Sequence, residues 1–149
     1  ETDSFHNANK YVIQPFTVET KKSFITSLPS TAGPQPPRFY VSHWLGQPVK
    51  EFVLSIEQFF IDFMVNNTDE TNRRGGGMRE DTPIWICAFA NNQWAAREDK
   101  SEDHKELSFT RAMKIAENRT ITILDKNGII FSRIWCIYEL YLTLNDRWQ

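Results

Sequence analysis

Hydrophobic positions recur at helical spacing from Val49 onward. Phe52, Val53, Ile56, Phe59, Phe60, Phe63 and Met64 share one side, with Glu51, Ser55, Gln58 and Asp62 on the other, which predicts an amphipathic helix with a phenylalanine-rich core face. Three short apolar runs read as buried strands: Phe39–Ser42, Ile84–Phe89 opened by Pro83, and Ile121–Leu124. A weaker helical pattern covers Leu107–Glu117 with Phe109, Met113 and Ala116 inward, and a turn at Asp125–Gly128 leads into a last helix over Ile134–Leu142. Strand and helix alternating three times predict an α/β fold with a parallel sheet.

The last helix is apolar almost all the way round. At about 100° per residue, Ile134, Ile137, Tyr138, Tyr141 and Leu144 fall on one face, with Ser132, Trp135, Glu139 and Asp146 roughly opposite. Ser132 is the expected N-cap. A carboxylate inside such a run is paired, protonated or functional if the helix is covered on both sides, and merely solvated beside a surface Trp if it is not. Both readings of Glu139 stand on the pattern alone.

Residues 1–37 read as an N-terminal arm or linker and 38–149 as the domain. Proline at Pro29, Pro34, Pro36 and Pro37 bars regular structure there, while the alternating run Tyr11–Val18 reads as an edge strand kept at the border by Pro15. The glycine run within 73–78 lacks the Lys-Ser/Thr of a phosphate loop and reads as a plain loop. Two glycosylation-type triplets, at 66–68 and 118–120, are too short a pattern to carry weight.

Composition narrows the function classes. The 149 residues suit one domain with a real core, and 11 Phe with 5 Trp supply rings for packing or stacking. A net charge of −2, with Lys and Arg scattered, argues against nucleic acid and anionic membrane as partners. The only cysteines, Cys87 and Cys136, lie in hydrophobic segments and read as reduced thiols in a cytoplasmic-type compartment. No apolar run is long enough for a membrane span, and a start at Glu1 reads as a piece of a longer chain. His6, His43 and His104 are far apart and no Cys pair has ligand spacing, so no metal is expected. A thioredoxin-type site lacks its second Cys, and Ser132 has no base for a hydrolase triad.

Two stretches resemble the Toll/interleukin-1 receptor (TIR) domain. Tyr40-Val-Ser-His-Trp-Leu-Gly-Gln-Pro-Val-Lys-Glu-Phe52 is similar to the family's first box, although His43-Trp44 replaces the common Phe-Arg and one extra residue precedes Phe52. Ile123–Leu140 resembles the family's strand, loop and Ser-x-Trp-Cys-x-x-Glu-Leu helix; Trp135-Cys-Ile-Tyr-Glu139 keeps its spacing, with Ser132 one residue further upstream. The resemblance covers about residues 38 to 145, and its tighter part is under twenty residues. It implies a flavodoxin-like three-layer fold whose last two strands have no counterpart before Gln149, so that either the sheet is completed beyond this fragment or the N-terminal arm substitutes for a missing edge. It also implies either cleavage of NAD⁺ at the nicotinamide glycosidic bond, with Glu139 as the catalytic residue, or a catalytically silent interaction module. Self-association follows from the same resemblance.

The chemistry is consistent with that expectation. In a 2-1-3 strand order the ligand crevice lies past the carboxyl ends of strands one and three, where Ser42, His43 and Trp44 leave one strand and Asp125, Lys126 and Asn127 the other. Cleaving an N-glycosidic bond passes through an oxocarbenium-like ribose that one carboxylate can stabilise, and nicotinamide leaves as a neutral group without a strong acid. Glu139 is therefore the candidate catalytic group. Ser42, His43, Trp44, Trp94 and Trp135 are the candidate nucleotide-binding residues, with Arg97 or Arg133 for a pyrophosphate; NAD⁺ enters as substrate and no cofactor is expected. A sensor that binds a nucleotide without turnover lies between the enzyme and the adaptor.

Overall fold

A computed structural model describes residues 3–29, 33–66, 81–95 and 107–145. The glycine run at 73–78, Arg97, His104 and Asp146 lie outside the described residues. Three strands, β1 (Phe39–Ser42), β2 (Ile84–Ile86) and β3 (Thr120–Thr122), form a parallel sheet in the order β2-β1-β3. Tyr40 pairs with Trp85 on one side and Thr120 on the other. The chain is thus a small α/β fold with β1 at its centre. β1 is buried along its whole length, as expected for a strand covered on both faces.

Alternation along β1 divides the core. Phe39 and Val41 point to one side, where they meet Phe52, Phe59 and Phe63 of α4 (Val49–Asn66). Tyr40 points to the other side, into a cluster with Ala112 and Met113 of α6 (Ser108–Ile115) and with Ala116. The phenylalanine face expected of α4 packs inward, except that Val53 and Met64 at its margins are exposed.

The N-terminal segment departs from expectation. Tyr11–Val18 is not an edge strand: α1 (Phe5–Ala8) runs through a π-helical turn at Asn9–Ile13 into α2 (Gln14–Phe16). Pro15 falls in the first turn of α2, where a missing N–H is tolerated. The buried pair Ile13 and Thr17 is spaced by four, and the Thr17 hydroxyl donates to the Ile13 carbonyl at 2.7 Å, so a helical period was present beneath the alternating one. After α3 (Phe24–Ser27), residues 33–37 carry no regular element, in line with their prolines.

β2 is shorter than its apolar run, because the chain turns at Cys87 into α5 (Cys87–Ala90). The last helix, α7 (Ile134–Asn145), is preceded by a 3₁₀ turn at Ile129–Ser132. Ser132 is therefore not the N-cap; its hydroxyl donates back to the Ile129 carbonyl at 2.7 Å inside that turn.

Candidate functional site

The site is set by how α7 meets the sheet. Its inward side, beside Leu142 packed against the Tyr40 cluster, carries three polar groups, Cys136, Glu139 and Thr143, at intervals of three and four residues. Each finds a partner beneath it. The Tyr40 hydroxyl donates to Glu139 Oε1 at 2.6 Å, and the Ser42 hydroxyl donates a short hydrogen bond to Oε2. Thr143 Oγ1 donates to the Glu139 carbonyl at 2.9 Å, so Thr120 Oγ1, 2.8 Å from Thr143 Oγ1, must be the donor in that pair. The Cys136 thiol donates to the His43 carbonyl at 3.8 Å.

Glu139 thus sits over the carboxyl end of β1, beside the β1/β3 boundary where strand order reverses. Burial pushes its pKa above the ordinary carboxylate value, and the Ser42 and Tyr40 hydroxyls, which favour the ionised form, pull part of the way back. The two bonds occupy about half of the four or so acceptor sites of a carboxylate, leaving each oxygen free to take another donor.

Two thiols and an imidazole complete the surroundings. Cys87 Sγ lies 3.7 Å from His43 Nε2. Burial drives both away from charge: Cys87 is pushed up to about 12 and His43 down to about 4, the latter against a weaker upward pull from the Trp44 backbone. Neither shift suits a thiolate–imidazolium pair, which needs a lowered thiol. The His43 ring is clasped between Phe5 and Phe52, at centroid distances of 4.6 and 4.7 Å, and its Nδ1 has no hydrogen-bond partner. Among the described residues no group of three or more His, Cys, Asp or Glu side chains is arranged to hold a metal, and no helix is long and apolar enough to cross a membrane.

Of the residues expected to form one site, the structure joins Glu139 and Ser42. His43 borders them only through its backbone and the Cys87 contact, with its ring in the core. Trp44 folds its indole over Gly46, where any Cβ would collide with the ring. Trp94 is engaged by the N-terminal segment: its Nε1 donates to Thr17 Oγ1 at 2.9 Å, and the Lys21 ammonium sits 3.3 Å from its ring centroid. Trp135 is 53% exposed and meets Phe109 edge-on at 6.0 Å. Asp125 orders the loop after β3 by accepting from the Asn127 and Ile129 amides, with Gly128 in the left-handed region at φ 64°.

Sequence reasoning missed Tyr40, Thr120 and Thr143. The signal for Tyr40 was available, since it stands two residues from Ser42 on one strand and so shares its face. A shallow depression lined by Leu54, Ser55, Gln58, Phe59 and Asp62 lies on α4, which packs on the opposite face of the sheet from Glu139. Comparison of the chain with protein-family models, curated proteins and solved structures finds no match.

Proposed function

We propose that the chain is a TIR-like glycohydrolase that cleaves the nicotinamide N-glycosidic bond of NAD⁺ or a related nucleotide, with Glu139 as its catalytic carboxylate, acting in signalling or defence. The observation that carries this reading is the placement of Glu139 over the carboxyl end of β1, tied to Ser42 and Tyr40. That is where open parallel sheets hold ligands. In the reaction the bond from the ribose anomeric carbon to the pyridinium nitrogen breaks, and its electron pair leaves with neutral nicotinamide. The cation left on the ribose is stabilised by the Glu139 carboxylate, and water adds to the anomeric carbon with loss of a proton. The free cysteines fit a reducing, cytoplasmic setting.

The test is nicotinamide release from NAD⁺ by the full chain at high protein concentration, set against Glu139→Gln. Release by wild type that vanishes in a folded Glu139→Gln variant supports the reading. Release that survives the substitution removes Glu139 from it.

A second reading, a catalytically silent interaction module, is favoured by the outer side of α7. Ile134, Ile137, Tyr141 and Leu144 are 77%, 47%, 57% and 52% exposed and follow the 3-4-3 spacing of a coiled-coil seam, with Glu139 turned the opposite way. The seam itself carries no charge, so an equally apolar helix fits it, and the partner we assign is a second copy of this chain. Phe131, 54% exposed just ahead of the helix, adds to the uncovered apolar surface. Sedimentation should show a concentration-dependent dimer that Ile134→Glu abolishes; a monomer at every concentration sinks this reading.

A further inference from the structure

The hydroxyl of Tyr40 donates to the carboxylate on which the proposed reaction depends, and its ring has no route to a ligand. Tyr40 is 1% exposed and lies in the middle of the central strand. Its ring stacks on Trp85 of the neighbouring strand, with centroids 4.9 Å apart and planes within 18°. Ala112, Met113 and Ala116 pack around the same cluster, so the ring has one position and its hydroxyl one target. A short polar reach from a rigid apolar base is what aims a carboxylate.

We propose that Tyr40, braced by Trp85, is a positioning residue that fixes the orientation of the Glu139 carboxylate. The inference rests on the glycohydrolase reading for its kinetic consequence, but not for its structural one. A phenol that donates to a carboxylate bonds the charged form more strongly than the neutral one, so it counters the burial that favours protonation. Four neighbouring groups, Cys87, Cys136, Tyr40 and His43, each keep one protonation state near neutral pH. Cys87 is pushed up to about 12, Cys136 and Tyr40 are also raised, and His43 is lowered to about 4. The Glu139 side-chain carboxyl signal therefore reports its own proton, released above the ordinary carboxylate range.

The test is Tyr40→Phe, which keeps the ring and its stack and removes one oxygen. The first measurement follows the Glu139 side-chain carboxyl carbon by NMR across pH 4 to 9 and needs no activity. Its midpoint should move upward in Tyr40→Phe and stay in place in Tyr11→Phe, a surface tyrosine. The second is the pH profile of nicotinamide release. The kcat of Tyr40→Phe should fall about tenfold at the acid end, recover as pH rises, and leave KM unchanged, the loss expected for one charge-assisted hydrogen bond. Trp85→Phe, which weakens the brace without touching the hydroxyl, should shift the midpoint in the same direction by less. An unmoved carboxyl midpoint in Tyr40→Phe overturns the proposal. An upward midpoint in a protein that releases no nicotinamide upholds the positioning role and discards the glycohydrolase reading instead.

Discussion

Glu139 and His43 pull the stability of this protein in opposite directions with pH. The folded pKa of Glu139 lies above its unfolded value, so the folded chain holds that proton more tightly. The resulting stabilisation is complete below the unfolded pKa and is lost as pH rises through the folded one. Glu139→Gln cannot ionise and can still bond both hydroxyls. Its melting temperature should match wild type near pH 4 and exceed it at pH 7.5, as thermal unfolding at the two values would show. His43 is the reverse case, with its folded pKa at about 4, below the ordinary 6.5, because burial between two phenylalanines favours the neutral ring. Its contribution is full above pH 6.5 and is lost as pH falls toward 4, amounting to ~3 kcal/mol over that window. His43→Leu should remove most of this acid sensitivity, measured as the urea midpoint at pH 4.5 against pH 7. The sequence made Glu139 and Ser42 legible, because a lone carboxylate in an apolar helix and a hydroxyl at a strand end are both local patterns. It left His43 between a phosphate or Glu139 partner and a structural role, because its packing depends on Phe5, 38 positions upstream, folding back onto it.

At the level of single elements, α7 has the periodicity read from its sequence, a pattern that left open which side meets the sheet. Hydrophobic spacing marks which residues share a side; it cannot say which side the sheet receives when both are largely apolar. Here the choice falls to hydrogen bonding. Tyr40, Ser42 and Thr120 present three hydroxyls on that sheet face, and Cys136, Glu139 and Thr143 are the α7 groups that meet that end of the sheet. Turning the apolar side inward would leave the buried Tyr40 and Ser42 hydroxyls and the half-buried Thr120 hydroxyl unpartnered, at a cost of roughly 1–3 kcal/mol for each buried one. If this seam seats the helix, Thr143→Val should lower stability by ~1–2 kcal/mol in urea unfolding despite its similar shape, since it strands the Thr120 hydroxyl. Thr120→Val with Thr143→Val should recover part of the loss, because both partners are then apolar. Additive losses in that double-mutant comparison would show that the two hydroxyls act independently. The α4 helix, with polar residues on one side and phenylalanines on the other, offered no such ambiguity and lies as its pattern indicates.

For the molecule as a whole, the question is whether the first 37 residues are an appendage or part of the domain. Composition separates them, because prolines interrupt the chain between Pro29 and Pro37, yet the core does not respect that border. Phe5 and Ile13, each 1% exposed, share a cluster with Phe39, Val41 and Phe52. Phe5 also meets Phe89 edge-on at 6.0 Å, and the Val49 amide that opens α4 donates to the Asp3 carbonyl at 2.8 Å. Thr17 and Lys21 hold Trp94 in the loop after α5. The segment therefore packs along the loop that follows β1 and the loop that follows α5, and its buried side chains share a cluster with Ile121 and Ile123 as well. Removing a buried Phe costs about 3–5 kcal/mol and a buried Ile about 2–5, against a net stability of roughly 5–15 for a domain. A chain beginning at Arg38 should then be unfolded or molten at 25 °C by near-ultraviolet circular dichroism. Phe5→Ala in the full chain should fold but lose ~3–5 kcal/mol in urea. Native-like spectra and a cooperative transition in the truncated chain would mean that the sheet and its two helical layers are self-sufficient, and that Phe5 and Ile13 fill space the domain can close without them.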